Sequence, residues 1–299
     1  MTGQQLNWYV MKLNGSNGSN GWAGAHTYNH TQNGNDEPRA LSFVQDGAAR
    51  NIVVVGQITT TLGNGGRVVK LNASTGALMW QSNQESAFQE YSNVFTSADG
   101  DIFAVGYTNG FNGALATKYN VGGTQVWSVT SVGPGAASFT NWGNGRIDAA
   151  SGDLIVSGLA QGSGNNNDIA VARFRDTDGV RLWQTLINSP INGSDNGNAI
   201  DVDTTHAYIG TGSYASAASA TDIFLARLNL SNGLYDAGNG GWTATFTGDD
   251  ATTFESLSNL RVVGGTVYAA GSTRFPYARG PHADHVEVER RDRRRDQSD

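Results

Sequence analysis

The feature that most constrains this chain is a block that returns five times: a basic residue, a polar turn and a tryptophan. Its clearest copy reads Arg67-Val-Val-Lys-Leu-Asn-Ala-Ser-Thr-Gly-Ala-Leu-Met-Trp-Gln-Ser82. Strands over 68–72 and 78–82 flank the Thr75-Gly76 turn, and Trp80 anchors the second. Variants begin at Lys12, Lys118, Arg173 and Arg227 and reach Trp22, Trp127, Trp183 and Trp242. The basic anchors lie 48 to 58 residues apart, and a second set of anchors, Gly56, Gly106, Gly158, Gly212 and Gly271, lies 50 to 59 apart. A period of that length with four short strands per copy is the signature of radial β repetition.

The remaining strands follow from alternation and turn chemistry. The first copy runs from 7–14 through Trp22 to about Tyr28, then 39–45 and 51–58. The second adds 92–97 and 101–108 across Asp99-Gly100, a hairpin signal because both turn positions favour positive φ. The third comprises 114–120, 125–130, 145–149 and 153–159; the fourth 168–175, 181–186, 198–203 and 206–213; the fifth 222–229, 241–246, 257–263 and 266–272. Each copy alone cannot cover both faces of its sheet, so copies must stack. The tryptophans then fill space between sheets, the turn glycines adopt left-handed backbone, and the second anchor glycines admit a neighbouring main chain.

Composition agrees with an all-β chain: 40 glycines in 299 residues and only 15% charged residues, with β-branched and aromatic residues in short runs. A formal charge of −7 disfavours nonspecific nucleic-acid binding. The absence of cysteine excludes disulfides, thiolate catalysis and cysteine-held metals. No apolar run approaches the roughly 20 residues that span a bilayer, and no export segment precedes the first strand within this chain. The Asn/Gly/Thr-rich, Lys-poor surface resembles that of bacterial exported or cell-surface proteins.

The segment 70–80, with Thr75, Gly76 and Trp80, resembles the tryptophan-containing repeat of quinoprotein-like β-propellers, Asn72 standing where that family usually carries Asp. Segment 97–108 is similar to repeats of bacterial extracellular β-propellers. The resemblance covers about 7–273 and implies a propeller of four-stranded blades, with about five repeats present, either a five-bladed ring or part of a six- to eight-bladed one. It implies that the strands after each polar loop line a central channel and the tryptophan strands lie outermost. The chain would open with two outer strands and close with two inner ones, able to pair. Many quinoprotein enzymes also carry a cysteine pair beside the cofactor, which this chain lacks.

The organisation expected is a repeat domain over 1–273 and an irregular tail over 274–299. The tail is rich in arginine interspersed with acid, which argues against a nucleic-acid arm. Back-translating 284–294 with GC-rich codons and shifting one nucleotide permits Thr-Thr-Ser-Lys-Leu-Asn-Ala-Ala-Thr-Gly-Ala, so the tail reads as an out-of-frame remnant of a further repeat.

Chemistry is sparse. His26 and His30 share a segment without an assured common face, and His282 and His285 lie in the tail. Asp36-Glu37, Asp195 and Asp249-Asp250 occupy equivalent loops; no cofactor is expected, and calcium is the one ion such oxygen-rich loops would suit. Arg146, Asp148, Asp201, Asp203 and Arg261 fall on the expected channel strands and are the ligand-binding candidates. Trp22, Trp80, Trp127, Trp183 and Trp242 are structural. The reading is a noncatalytic module for binding or scaffolding, a monomer with an unidentified protein or glycan partner. The alternative is a quinoprotein-like or other propeller enzyme with its site at one mouth.

Overall fold

A computed structural model of the chain describes residues 6–32, 34–82, 89–108, 113–131, 140–161, 167–188, 195, 197, 199–214, 221–246 and 254–274. The second half of the tail call and most of it, 275–299, together with Asp249-Asp250, lies outside them. The chain divides into two compact units, Met1–Gly143 with Arg175–Val180, and Asn144–Phe174 with Arg181–Asp299.

In the first unit, β1 (Trp8–Val10) pairs with β2 (His26–Tyr28). A four-stranded antiparallel sheet follows from β3 (Glu37–Asp46), β4 (Ala49–Thr60), β5 (Gly63–Leu71) and β6 (Leu78–Gln81), in that order. The next sheet holds β7 (Gln89–Thr96), β8 (Ile102–Thr108), β9 (Gly113–Tyr119) and β10 (Gln125–Ser131). In the second unit lies most of the sheet β11 (Thr140–Ile147), β12 (Leu154–Gln161), β13 (Asn167–Phe174) and β14 (Arg181–Ile187). Beyond it come β15 (Ala199–Val202), β16 (His206–Tyr214), β17 (Thr221–Asn229) and β18 (Trp242–Phe246), then the hairpin β19 (Phe254–Val263) and β20 (Thr266–Arg274), joined to β17 through Thr221 and Phe254. Each sheet thus takes two strands from one sequence copy and two from the next. Every tryptophan strand from β6 to β18 is the last of its four, at the edge opposite the strand that follows the polar loop.

Alternation explains the packing. Successive side chains of a strand point to opposite faces. In β4, Ile52 and Val54 join Trp8, Val10 and Trp22 in one core, while Val53 and Val55 join Tyr91, Val94 and Ile102 in another. A strand between two cores must be apolar at every position, and β4, β8 and β12 are. Full burial of each such valine or isoleucine stabilises by roughly 1.5–3 kcal/mol. The anchor glycines serve the close approach expected of them. A Cβ on Gly56 or Gly106 would stand 2.1 or 1.9 Å from the carbonyl oxygens of Glu37 or Glu90 on the first strand of the same sheet. Beside them, register shifts between Pro38 and Ala40, Tyr91 and Asn93, and Leu257 and Asn259 mark a repeated bulge that bends each first strand.

Some boundaries differ from expectation for identifiable reasons. β5 begins at Gly63, not 68, because 63–66 pair with 57–60 despite reading as a Gly-Asn-Gly-Gly turn. Gly66 is needed there, since a Cβ would lie 2.8 Å from the buried Tyr91 ring. β11 begins at Thr140, not 145, with Thr140 and Trp142 buried inside a stretch whose Asn and Gly suggest a loop. The first copy is strand only over Trp8–Val10 and His26–Tyr28, linked by a bridge between Leu13 and Asn20. The fifth block has 15 residues from Arg227 to Trp242 where the first has 10 from Lys12 to Trp22. The excess forms a 3-10 turn, Ala237–Asn239, capped by Asp236, and Arg227 still stands opposite Trp242 as Lys70 stands opposite Trp80.

Candidate functional site

The repeated residues meet in a latch. Trp80 Nε1 and Lys70 Nζ both donate to the Val121 carbonyl, at 3.0 and 2.8 Å. Trp22 and Lys12 converge likewise on the Ala73 carbonyl (3.0 and 3.1 Å), Trp127 and Lys118 on that of Asp176 (2.8 and 3.2 Å), and Trp183 and Arg173 on that of Leu230 (both 2.8 Å). Each carbonyl opens a turn closed by a glycine at φ between 71 and 92°: Gly76, Gly123, Gly179 or Gly233. A Cβ on any of the four would approach the incoming indole to 2.6–2.7 Å. Glycine is therefore required twice over, by its left-handed backbone and by the ring lying on it. Asn72, in the position the resemblance associates with Asp, accepts the Ser74 and Thr75 amides and shapes the turn.

Carboxylates neutralise the buried cations. Lys70 pairs with Asp46 (2.7 Å), Lys118 with Asp101 and Asp176 (2.7 and 2.6 Å), and Arg173 with Asp148 and Asp153 (3.0 and 2.8 Å). Burial alone would lower the Lys118 pKa, but hydrogen bonds to Asp101 and Asp176 outweigh it and hold the ammonium above the usual lysine value.

Three of the five ligand-binding candidates come together in the second unit. Arg146 on β11 donates from Nε to Asp201 Oδ1 on β15 at 2.8 Å. Arg261 on β19 stands 3.7 Å from the same oxygen, and the Val262 amide donates to Asp201 Oδ2 at 2.9 Å. Asp201 is thus fixed by three strands. Two guanidiniums share one carboxylate, leaving an excess positive charge, and the Arg261 side chain is 56% exposed. That arrangement can accept an anionic group in bidentate fashion.

Asp148 and Asp203 are placed elsewhere, in turns at strand ends. Asp148 accepts from the Ala150 amide and the Ser151 hydroxyl besides Arg173. Asp203 accepts from the Thr205 and His206 amides at 2.7 Å each and from the Tyr208 hydroxyl at 2.7 Å. Burial raises the Asp203 pKa, but these donors prevail and hold it below the usual aspartate value.

A second polar cluster, in the first unit, was not anticipated. Glu37 pairs with Arg39 at 3.0 Å, and Arg39 reaches Gln57. Glu90 accepts from Asn64 at 3.2 Å and from the Tyr107 hydroxyl. Burial first, then the Glu90 acceptor and its charge, push the Tyr107 pKa up, with Glu37 adding to the effect and Arg39 opposing it. Glu37 and Glu90 both precede the β-bulge, opposite the residue after an anchor glycine. That shared register is the signal that marks them; glutamate is otherwise sparse in the chain.

For metals, Asp36 uses Oδ2 on the His30 amide (2.6 Å) and Oδ1 on the Thr59 amide (2.8 Å). Asp195 is buried and its amide donates to Asn167. Among the described residues no three His, Asp or Glu side chains gather in a metal-holding group. No helix among them is long and apolar enough to cross a membrane.

No family model and no curated protein matches the chain. Solved structures do. The PilY1 C-terminal domain of Pseudomonas aeruginosa is 12% identical, over 95% of this chain and 78% of that one, with a TM-score of 0.50. BamB from Moraxella catarrhalis is 13% identical over 85% and 84%, with a TM-score of 0.40. The β-propeller domain of the Trilobed protease from Pyrococcus furiosus is 9% identical over 80% of each chain, with a TM-score of 0.36. Likeness at these identities bears on fold alone. With its four-stranded antiparallel sheets and about five repeats, the chain has the all-β fold class of the β-propellers.

Proposed function

We propose that this chain is a noncatalytic β-propeller module for binding or scaffolding, belonging to an exported or surface protein of bacterial type. The repeated tryptophans, cations and turn glycines all serve the joints between sheets, which agrees with a tryptophan-motif repeat of quinoprotein-like kind without its chemistry. The observation that carries the reading is the Arg146–Asp201–Arg261 cluster, rigid at its carboxylate and open at Arg261. It suits a partner, protein or glycan, that presents a carboxylate or another anionic group.

Titration of the chain with polygalacturonate, as a model acidic glycan, and with dextran, as a neutral one, tests this. The acidic polymer should bind saturably and dextran should not, and Arg261→Glu should weaken binding at least about tenfold. Equal binding of both polymers, or no effect of Arg261→Glu, would contradict the assignment.

The enzymatic alternative is favoured by one observation, the Glu37–Arg39 and Glu90–Tyr107 pairs of the first unit. If those carboxylates act on a substrate, Glu37→Gln and Glu90→Gln would abolish a turnover that the wild-type chain displays against aryl glycosides or, with quinone and calcium added, in dye reduction.

A further inference from the structure

The latch is occupied at four turns, and one plug and one socket are left over. The plug is Trp242. It stands opposite Arg227 in the register that Trp80, Trp127 and Trp183 share with their own cations. It leans on Tyr208, over which Arg227 is also placed, as Trp127 and Lys118 are placed around Phe103. Yet Trp242 is only half-buried, and its indole N–H meets no turn carbonyl among the described residues, where Trp22, Trp127 and Trp183 are 6–9% exposed.

The socket is the turn 14–18. Its Asn14 carbonyl accepts the Gly18 amide at 2.8 Å, as the Asn72 carbonyl accepts that of Gly76. Gly18 has φ 69°, and Gly15 supplies the carbonyl equivalent to Ala73. Unlike the four occupied glycines, Gly18 has nothing within 4 Å of its Cβ direction. The strand leading into it is bare as well. Met11 and Leu13 are 50% and 51% exposed, whereas Val69 and Leu71, at the same positions before the next turn, are 1% and 0% exposed.

The sheets beside plug and socket are incomplete in complementary ways. β19 and β20 supply the first two strands of a blade, and β20 ends its sheet. Tyr268 is 40% exposed where Val53, Phe103 and Ile155, each three residues before an anchor glycine, are fully buried. β1 and β2 supply the last two strands of a blade. Joining β20 to β1 in the register of β4 and β5 would cover Tyr268, Met11 and Leu13 together and carry the turn 14–18 under Trp242.

We propose that the surface formed by Trp242, Tyr268 and the β20 edge binds the β1 strand and the turn 14–18 of a second copy of this chain. The interface is heterologous, head to tail, and each copy keeps one plug and one socket, so association continues into larger species unless it closes. Composition alone pointed to a monomer; the unmatched latch halves argue for self-association.

Sedimentation velocity over about 1–100 μM, the range in which micromolar association is read, tests this. The wild type should move from monomer to dimers and longer species as concentration rises. Trp242→Ala and Gly18→Asn should each weaken association at least about tenfold; asparagine tolerates left-handed backbone, so Gly18→Asn blocks the socket without unfolding the turn. Mixed in equal amounts, the two variants should form dimers and stop there, since one keeps its socket and the other its plug. Leu13→Glu, which leaves the turn untouched, should act like Gly18→Asn. Circular dichroism of each variant, matching the wild type, separates lost docking from lost folding. A wild type that stays monomeric throughout, or a mixture of variants that stays monomeric while the wild type associates, would overturn the proposal.

Discussion

The turns at Gly179 and Gly18 have nearly the same backbone, with φ of 71 and 69°, and opposite surroundings. Over Gly179 lies Trp127, 2.7 Å from where a Cβ would be, while the Trp127 indole and Lys118 bind the Asp176 carbonyl of the same turn. Over Gly18 there is nothing. One local sequence thus builds both an occupied joint and an open one. Turn chemistry fixes the backbone at both; what differs is whether a tryptophan arrives from another sheet. The joint is a tertiary device carried by a local motif, and its energy resides in the indole and the cation.

The largest effect should come from removing an indole at an occupied joint. Trp127→Ala should cost about 3–5 kcal/mol in denaturant unfolding, the range for large aromatics deleted from a core. Trp242→Ala, half-buried and without a turn beneath it, should cost only about 1–2 kcal/mol in the monomer. Equal costs for the pair would mean that the joint itself contributes little.

The cation comes next. Lys118→Met leaves Asp101 and Asp176 without their shared partner, and the carboxylates are 26% and 24% exposed, so the loss should be about 2–3 kcal/mol, below that of a fully buried pair. Because the folded pKa of Lys118 is raised, its contribution is complete below the ordinary 10.5 and disappears as pH climbs through the raised value. The stability gap between wild type and Lys118→Met should therefore hold at neutral pH and narrow only in strongly alkaline solution, which unfolding curves at several pH values would show.

A smaller effect belongs to Asp203, which serves a turn and no latch. Asp203→Asn should cost about 1 kcal/mol at neutral pH, typical of a lost charge-assisted hydrogen bond. The folded pKa is lowered, so the contribution is present above the ordinary 3.8 and lost as pH falls through the folded value. Acid titration of both proteins should bring their stabilities together below that pH.

Much of this architecture is legible in the chain because its repeats are spaced by geometry. Trp22, Trp80, Trp127 and Trp183 recur with their cations at 9 or 10 residues, and the pairing across a turn keeps them so. Other features depend on distant residues. Gly63 to Gly66 read as a turn, and only Tyr91, packed against Gly66, reveals why a strand there must lack side chains. Asp148 and Asp203 sit in the same short stretches as Arg146 and Asp201, and alternation cannot say which end of a strand meets a turn. The structure separates them, giving Arg146 and Asp201 to the polar cluster with Arg261 and the other two to strand ends. Glu37 and Glu90 stood out neither by motif nor by neighbours; their equivalence appears once the bulges set the register.

The two glycines of the opening comparison provide the most direct measurement. Gly18→Ala and Gly179→Ala place the same methyl group on the same left-handed backbone, so the penalty of about 1–2 kcal/mol for a β-carbon there is common to both. Only at Gly179 must the methyl displace an indole, which should add about 1–3 kcal/mol of overpacking. Paired unfolding experiments under conditions where the chain is monomeric should find Gly179→Ala the more destabilising by that margin. Equal losses at the two positions would show that the glycine answers to its turn alone and would contradict the latch.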